Sequence, residues 1–86
     1  MKMQTKHELS EIKYALQKAI SEALNEAYMT AEIEIHEMTA NDNYSIKGAF
    51  KFISFLSQTV KRKGKFETKL DENLKIVNLK ITEDQQ

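Results

Sequence analysis

The amino-acid sequence predicts an α+β fold, in which one N-terminal amphipathic helix packs on an antiparallel meander of three to four strands. Helical periodicity is confined to 5–28, and apolar and polar residues then alternate with period two in later stretches. The chain has no proline and only two glycines, which argues against a loop-rich or disordered protein. Its 86 residues form one domain in the order α-β-β-β-β, with 1–4 and 83–86 expected to fray.

The predicted helix runs from Thr5 to near Tyr28. Its large apolar residues recur at steps of three and four and share one face: Leu9, Ile12, Leu16, Ile20 and Leu24. The opposite face is expected to contact water and carries Glu11, Lys18, Ser21, Glu22, Asn25 and Glu26. Thr5 and Glu8 have the spacing of a capping box at the N-terminus. A helix of this length is marginal in water, so its apolar face needs a partner surface.

The first two strands are predicted at 31–36 and 44–56, joined by a turn at 40–43 that is rich in Asn and Asp. In the first strand, apolar residues alternate with Glu and His, so one side of the strand is buried. Burial selects the register in which Ile33 lies opposite Phe50 and Glu32 lies opposite Lys51. A shift by one residue would instead set Ile33 against Lys51.

The alternation breaks at two places in the second half of the chain. Residues 52–56 are apolar on both sides, and the apolar residues of 74–81 change parity after Ile76. Each break indicates either a β-bulge or a second buried face of the sheet. We expect a polar and basic connection at 57–65, a third strand at 66–70, a short turn at 71–73 and the last strand at 74–81.

Five apolar residues exceed what one helix covers. They are candidates for a protein interface on the other face of the sheet: Ile53, Phe55, Val77, Leu79 and Ile81. An uncovered apolar face on a small protein marks a partner surface. We therefore expect a protein-interaction module that self-associates through its sheet, most simply as a homodimer. In the alternative, bulges turn these residues inward and the chain is a compact monomer.

Composition restricts the classes of partner. Lys plus Arg equals Asp plus Glu at 13 each, so the formal net charge of zero gives no general attraction to nucleic acid or anionic lipid. The absence of cysteine excludes a disulfide scaffold, a thiolate zinc site and a cysteine nucleophile. The start has no apolar signal core, and no run approaches the ~20 apolar residues of a membrane span. We expect a cytoplasmic protein with no membrane partner and no cofactor.

Glu32, Glu34 and His36 share one side of the first strand and could offer oxygen and nitrogen ligands to a divalent metal. Same-side residues are ~7 Å apart along a strand, however, so these side chains would splay around an ion. A solvated face that pairs with Lys47 and Lys51 is the simpler interpretation. Since no Ser–His–acid or lysine-based arrangement is present either, we expect neither a metal site nor an enzyme.

The run at 61–65 is the alternative functional site, with four cationic residues: Lys61, Arg62, Lys63 and Lys65. In a nucleic-acid-binding module this run would form a loop that grips phosphate. A solvated connection is the simpler interpretation, because lysines also discourage edge pairing. The aromatic–glycine pattern of single-stranded RNA binders is missing, and Phe50, Phe52 and Phe55 more simply fill a core than stack on bases.

The order of these patterns resembles the trypsin-co-occurring domain, a small bacterial helix-plus-strands family found beside trypsin-like proteases. The resemblance rests on Leu9, Ile12 and Leu16 in the helix, on the Gly-Ala-Phe-Lys-Phe segment at 48–52, and on the alternation at 31–35 and 66–70. The family's usual tryptophan in the middle strand and histidine before the last strand are missing. The resemblance implies an adaptor without catalytic residues of its own. A gas-vesicle accessory protein family is similar in its helix-then-meander layout.

Overall fold

A computed structural model describes residues 8–84 of the chain. Its elements within this range are α1 (Leu9–Leu24), a 3-10 turn (Tyr28–Thr30), β1 (Ala31–Ala40), β2 (Tyr44–Ile53), β3 (Val60–Leu70) and β4 (Ile76–Glu83). The strands form one antiparallel sheet in the order β1-β2-β3-β4, so each strand pairs with its neighbours in the chain. The predicted α+β fold and the order α-β-β-β-β are confirmed.

The helix α1 is shorter than the sequence predicts. Glu8 occupies the N-cap position and its N–H donates to Glu11 Oε1 at 3.2 Å, whereas Thr5 lies outside the described residues. The helix ends at Leu24 rather than near Tyr28, because Asn25 adopts the left-handed conformation at φ 56°. Asparagine tolerates this conformation, which terminates the helix and redirects the chain.

One face of α1 is buried against the sheet. Ile12, Leu16 and Ile20 are at most 1% exposed, whereas Leu9 at the first turn is 51% exposed. The prediction that Ser21 contacts water is wrong: it is buried, because the chain returns alongside α1 through the 3-10 turn. The Gln17 side-chain amide donates to the carbonyl oxygen of Ala31 at 2.7 Å and joins α1 to the start of β1.

The register of β1 against β2 is the predicted one. Ile33 lies opposite Phe50 and Glu32 lies opposite Lys51, with the Lys51 Nζ to Glu32 Oε1 distance at 3.7 Å. The strands therefore direct apolar residues toward α1 and charged residues toward the opposite side of the sheet, which we call the open face.

Neither predicted break in alternation is a second buried face: at 52–56 the strand β2 ends at Ile53, and at 74–81 the strand β4 has an extra residue at Val77. The pairing of β2 with β3 shifts between Phe52 and Ile53, and the pairing of β3 with β4 shifts between Lys69 and Leu70. A further shift occurs in β1 between Ile35 and Glu37, and the sequence does not predict it. Bulges of this kind bend a strand and increase its local twist.

Several predicted strand bounds are wrong. β2 ends at Ile53, and β3 begins at Val60, so the run at 61–65 lies in a strand rather than in a connecting loop. β4 extends to Glu83, which the sequence predicts to fray. Asp84, which the sequence also predicts to fray, donates its N–H to the carbonyl oxygen of Lys63 at 2.9 Å. The remaining residues expected to fray, 1–4 and 85–86, lie outside the described range.

The core lies between α1 and the sheet. Its buried apolar residues are Ile12, Leu16, Ile20, Ala31, Tyr44, Ile46, Phe50, Phe52, Phe66 and Leu70. Both glycines lie opposite a core phenylalanine: Gly48 is paired with Phe66, and Gly64 with Phe50. A Cβ atom on Gly48 would overlap the carbonyl oxygen of Glu34 in β1, so this position requires the absence of a side chain.

Candidate interaction surfaces

The five predicted interface residues do not share one surface. Leu79 and Ile81 pack partly against the core, on the same side of the sheet as α1. The expectation that they lie on the other face is wrong, because Leu79 is paired with Thr68 and Ile81 with Phe66, both of which are buried. Ile53 and Phe55 lie where β2 ends, and Val77 lies at the start of β4.

The end of the sheet near Phe55 exposes large apolar side chains. We define the Phe55 end as Met29, Ile53, Phe55 and Leu56. Met29 is 71% exposed, Phe55 76% and Leu56 94%. Met29, Ile53 and Phe55 line one shallow cavity of about 220 Å³, together with Thr30, Glu32 and Gln58. The expectation that Phe55 fills the core is wrong, because the strand has ended before it.

Hydrogen bonds hold the turn that presents the Phe55 end. The Ser54 N–H donates to Thr59 O at 2.7 Å, and the Gln58 N–H donates to Ser54 O at 2.8 Å. Gln58 has a positive φ of 57°, and its side-chain amide donates to Phe55 O at 3.0 Å. The turn therefore has a defined conformation. Sequence reasoning missed Met29 and Leu56; the signal for Leu56 was an apolar residue directly before the polar stretch 57–59.

A second apolar surface runs along β4. We define the β4 strip as Val77, Leu79 and Ile81, of which Leu79 and Ile81 pack against the core and Val77 is the extra residue where the pairing of β3 with β4 shifts. Val77 is 58% exposed, and Leu79 and Ile81 are half-buried. β4 is the last strand of the sheet, and no strand within residues 8–84 pairs with its outer edge. Its outward backbone groups are therefore available to a partner strand.

The open face is polar, and its charges alternate in the row Glu37, Lys47, Glu67 and Lys80 but are mainly basic elsewhere on β2 and β3. β1 contributes Glu32, Glu34 and Glu37, whereas the other strands contribute mainly lysines: Lys47, Lys51, Lys63, Lys65, Lys69 and Lys80. Lys51 lies directly opposite Lys63, a like-charge pair that destabilises a sheet. Lys65 lies between Ala49 and Thr82, so no acidic residue faces it across the strands.

The first two cations of the basic run have structural partners. Arg62 donates to Glu83 Oε1 at 2.6 Å, to Glu26 Oε2 at 3.0 Å and to the carbonyl oxygen of Leu24 at 2.9 Å. Lys61 Nζ lies 3.0 Å from Glu26 Oε1. Arg62 thereby joins the end of α1 to β3 and β4. Of the four predicted nucleic-acid contacts, only Lys63 and Lys65 extend over the open face.

This network perturbs the titration of its members. The hydrogen bonds from Lys61 and then Arg62 lower the pKa of Glu26, and the hydrogen bond from Arg62 lowers the pKa of Glu83. The hydrogen bonds to Glu83 and Glu26 raise the pKa of Arg62. A carboxylate whose folded pKa is depressed stabilises the fold above its ordinary pKa and loses that contribution as the pH falls through the folded value.

We expect the melting temperature of the wild-type protein to fall as the pH drops below 4.5, the ordinary pKa of a glutamate. Below this pH, Glu26 and Glu83 become protonated and their ion pairs with Arg62 are lost. Arg62→Met should melt lower at neutral pH and show a smaller acid-induced fall. Calorimetry across this range provides the measurement, with Lys69→Met as the matched control on the same strand. Equal acid sensitivity in wild type and Arg62→Met would contradict a stabilising network.

The predicted acidic array does not assemble a metal site. His36 Nε2 lies 3.3 Å from Glu34 Oε1, and Glu32 instead contacts Lys51. Across residues 8–84, no three His, Cys, Asp or Glu side chains are grouped closely enough to hold an ion.

No protein-family model, curated protein or solved structure matches the chain. The resemblance to the trypsin-co-occurring domain therefore stays a prediction. In the part of the chain that the structure describes, no helix has the length and apolar character needed to cross a membrane.

Proposed function

We propose that this protein is a non-catalytic protein-interaction module that self-associates through its sheet and offers its remaining apolar surface to a second protein, as an adaptor does. The observation that carries the proposal is the Phe55 end. Phe55 and Leu56 are the two most exposed large apolar residues in the described range, at 76% and 94%, and they occupy a hydrogen-bonded turn. Apolar groups that the core does not use, held in a defined conformation, are typical of a binding surface.

The chemistry of the titratable groups supports a binding role. Glu26, Arg62 and Glu83 have displaced pKa values, and Arg62 binds both glutamates at the junction of α1, β3 and β4. Displaced pKa values at an active site serve proton transfer, whereas here they result from ion pairs that hold elements together. A cytoplasmic location stays a prediction of the sequence.

We expect Phe55→Glu combined with Leu56→Glu to remove partner binding without unfolding the protein. Both side chains are mostly solvent-exposed, so the free energy of unfolding should change by less than about 0.5 kcal/mol. The measurement is affinity capture from a lysate of the source organism, with wild-type and doubly substituted baits and with Ser57→Glu in the same turn as the matched control.

Sedimentation equilibrium of the wild-type protein at micromolar concentration completes this test. We expect a mass above that of one chain. A single-chain mass at every concentration, together with identical captured proteins for wild-type and substituted baits, would refute the proposed function.

Binding of nucleic acid is a second candidate, favoured by one observation. Lys65 has no acidic residue opposite it across the strands and lies beside the like-charge pair Lys51 and Lys63, so positive charge is concentrated on this part of the open face. A bound polyanion would offset the repulsion that this arrangement creates.

For this candidate, we expect Lys63→Glu combined with Lys65→Glu to weaken binding of labelled single-stranded RNA at physiological salt. The slope of log K against log salt should fall by about 0.7 for each lysine–phosphate ion pair that the substitutions remove. Lys61→Glu is the control, because Lys61 is paired with Glu26. Binding detected only at low salt, or equally affected by both variants, would leave no specific role for this face.

A further inference from the structure

We propose that two copies of this protein associate through the outer edge of β4, in antiparallel orientation about a two-fold axis at Leu79, to form one continuous eight-stranded sheet. The inference deepens the proposed function, since it rests on self-association and names the surface that performs it. Three observations carry it: the direction of the β4 backbone groups, the half-exposed β4 strip, and the charge distribution on the two edge strands.

The backbone of β4 presents alternate residues outward. Asp84 N–H donates to Lys63 O at 2.9 Å, and this pair continues the register of β3 with β4, in which Lys65 is paired with Thr82 and Glu67 with Lys80. Hydrogen-bonded pairs alternate along an antiparallel ladder. Lys80 and Thr82 therefore direct their N–H and C=O groups toward β3, while Leu79 and Ile81 direct theirs outward, where a partner strand would bind them.

The side chains of β4 select the register of the two copies. With the axis at Leu79, that residue lies opposite the partner's Leu79, and Val77 lies opposite the partner's Ile81. Leu79 and Ile81 of the two copies then form one apolar surface across the junction on the core side of the sheet, and Val77, at the register shift, lies at the end of the paired segment. Lys80 lies opposite the partner's Asn78 in this register, whereas a shift of the axis to Lys80 would set the two Lys80 ammonium groups against each other.

The other edge strand is less suited to this association. In the regular part of β1, a two-fold axis at Glu32, Ile33 or Glu34 sets a glutamate directly opposite a glutamate of the second copy. Like charges directly opposite each other destabilise a sheet. Register shifts do not distinguish the two edges, because β1 has one after Ile35 and β4 has one between Ile76 and Asn78, so either edge offers only its regular part. β4 carries one charged residue on the open face between Ile76 and Thr82, which is Lys80.

Disulfide trapping tests the axis directly, because the chain has no native cysteine. In a hydrogen-bonded antiparallel pair, the Cα atoms lie about 5.5 Å apart, within the range that a disulfide spans. We expect Leu79→Cys to form a covalent dimer on mild oxidation and Glu34→Cys, its counterpart on β1, to remain mostly monomeric. Equal trapping at both positions, or preferential trapping of Glu34→Cys, would overturn the β4 assignment.

A second variant changes the exposed residue Val77, and so leaves unchanged the half-buried residues of β4 that pack against the core. Val77→Lys should weaken the dimer by about tenfold or more, because it sets a charge against an apolar residue of the partner, while the exposed position preserves the fold. Met38→Lys on β1 is the matched control. Amide hydrogen exchange adds an atomic readout: Leu79 and Ile81 should gain protection as concentration rises, while Lys80 stays protected throughout by β3.

The outcomes separate this inference from the proposed function. A dimer that survives Val77→Lys but dissociates with Phe55→Glu would overturn the β4 edge and retain self-association. Species that grow beyond a dimer with concentration would indicate that β1 of one copy pairs with β4 of the next, and would also overturn the two-fold arrangement. A wild-type protein that sediments as one chain at every concentration would refute self-association and the β4 assignment, and binding of a second protein at the Phe55 end would then be decided by the capture experiment alone.

Discussion

We expect Leu16→Ala to lower the free energy of unfolding by about 2–5 kcal/mol, far more than a substitution on the exposed side of the helix. Leu16 lies at the middle of the buried face of α1 and is 0% exposed. Truncation removes the transfer free energy of its side chain and leaves a cavity between α1 and the sheet. Because α1 is too short to be stable alone, its docking to the sheet depends on this side chain.

Urea denaturation provides the measurement, with Glu22→Ala as the control on the exposed side of the same helix. The control should change stability by less than about 0.5 kcal/mol. A Leu16→Ala protein that unfolds at the wild-type urea concentration would show that α1 contributes little to the core.

Gly48→Ala should cost about 3 kcal/mol, although alanine is an ordinary substitution elsewhere in a sheet. The added Cβ would overlap the backbone carbonyl oxygen of Glu34 and approach the Phe66 ring. A flexible side chain could move aside, but the carbonyl belongs to the β1 backbone, so the strands themselves must separate. The strain therefore falls on the pairing of β1 with β2.

Thermal and urea unfolding of Gly48→Ala test this expectation, with Lys47→Ala as the control at the neighbouring position on the open face. Amide exchange would locate the damage, since protection should fall first in β1. Unchanged stability, or loss of protection confined to β4, would contradict the close approach of Glu34 to Gly48.

Alternation and periodicity were sufficient to predict the helix, the four strands and the pairing of Ile33 with Phe50. They were sufficient because a one-residue shift would have buried Lys51, and the free-energy cost of that burial leaves a single register. The same patterns did not locate bulges, since a bulge changes parity in the same way as a second buried face does. The sequence pattern therefore predicts the wrong side of the sheet for Leu79 and Ile81.

The candidate surfaces depended on features that the sequence does not display. Whether Phe55 fills a core or extends into solvent depends on where β2 ends, and this end is set by the pairing of Ile53 with Val60. The separate roles of Arg62 and Lys63 depend on the three-dimensional positions of Glu26 and Glu83, which are distant from them in sequence. Residues that are adjacent in a basic run thus have different partners in the fold.

The meander topology has a consequence for the order of folding. Each strand pairs with its neighbour in the chain, so the sheet can form by successive hairpins with short loop closures. α1 precedes every strand, yet most of the buried apolar residues of the sheet belong to β2 and β3. During synthesis α1 therefore leaves the ribosome with its apolar face uncovered, and it stays uncovered until β3 has emerged. α1 is therefore synthesised before most of the residues that stabilise it.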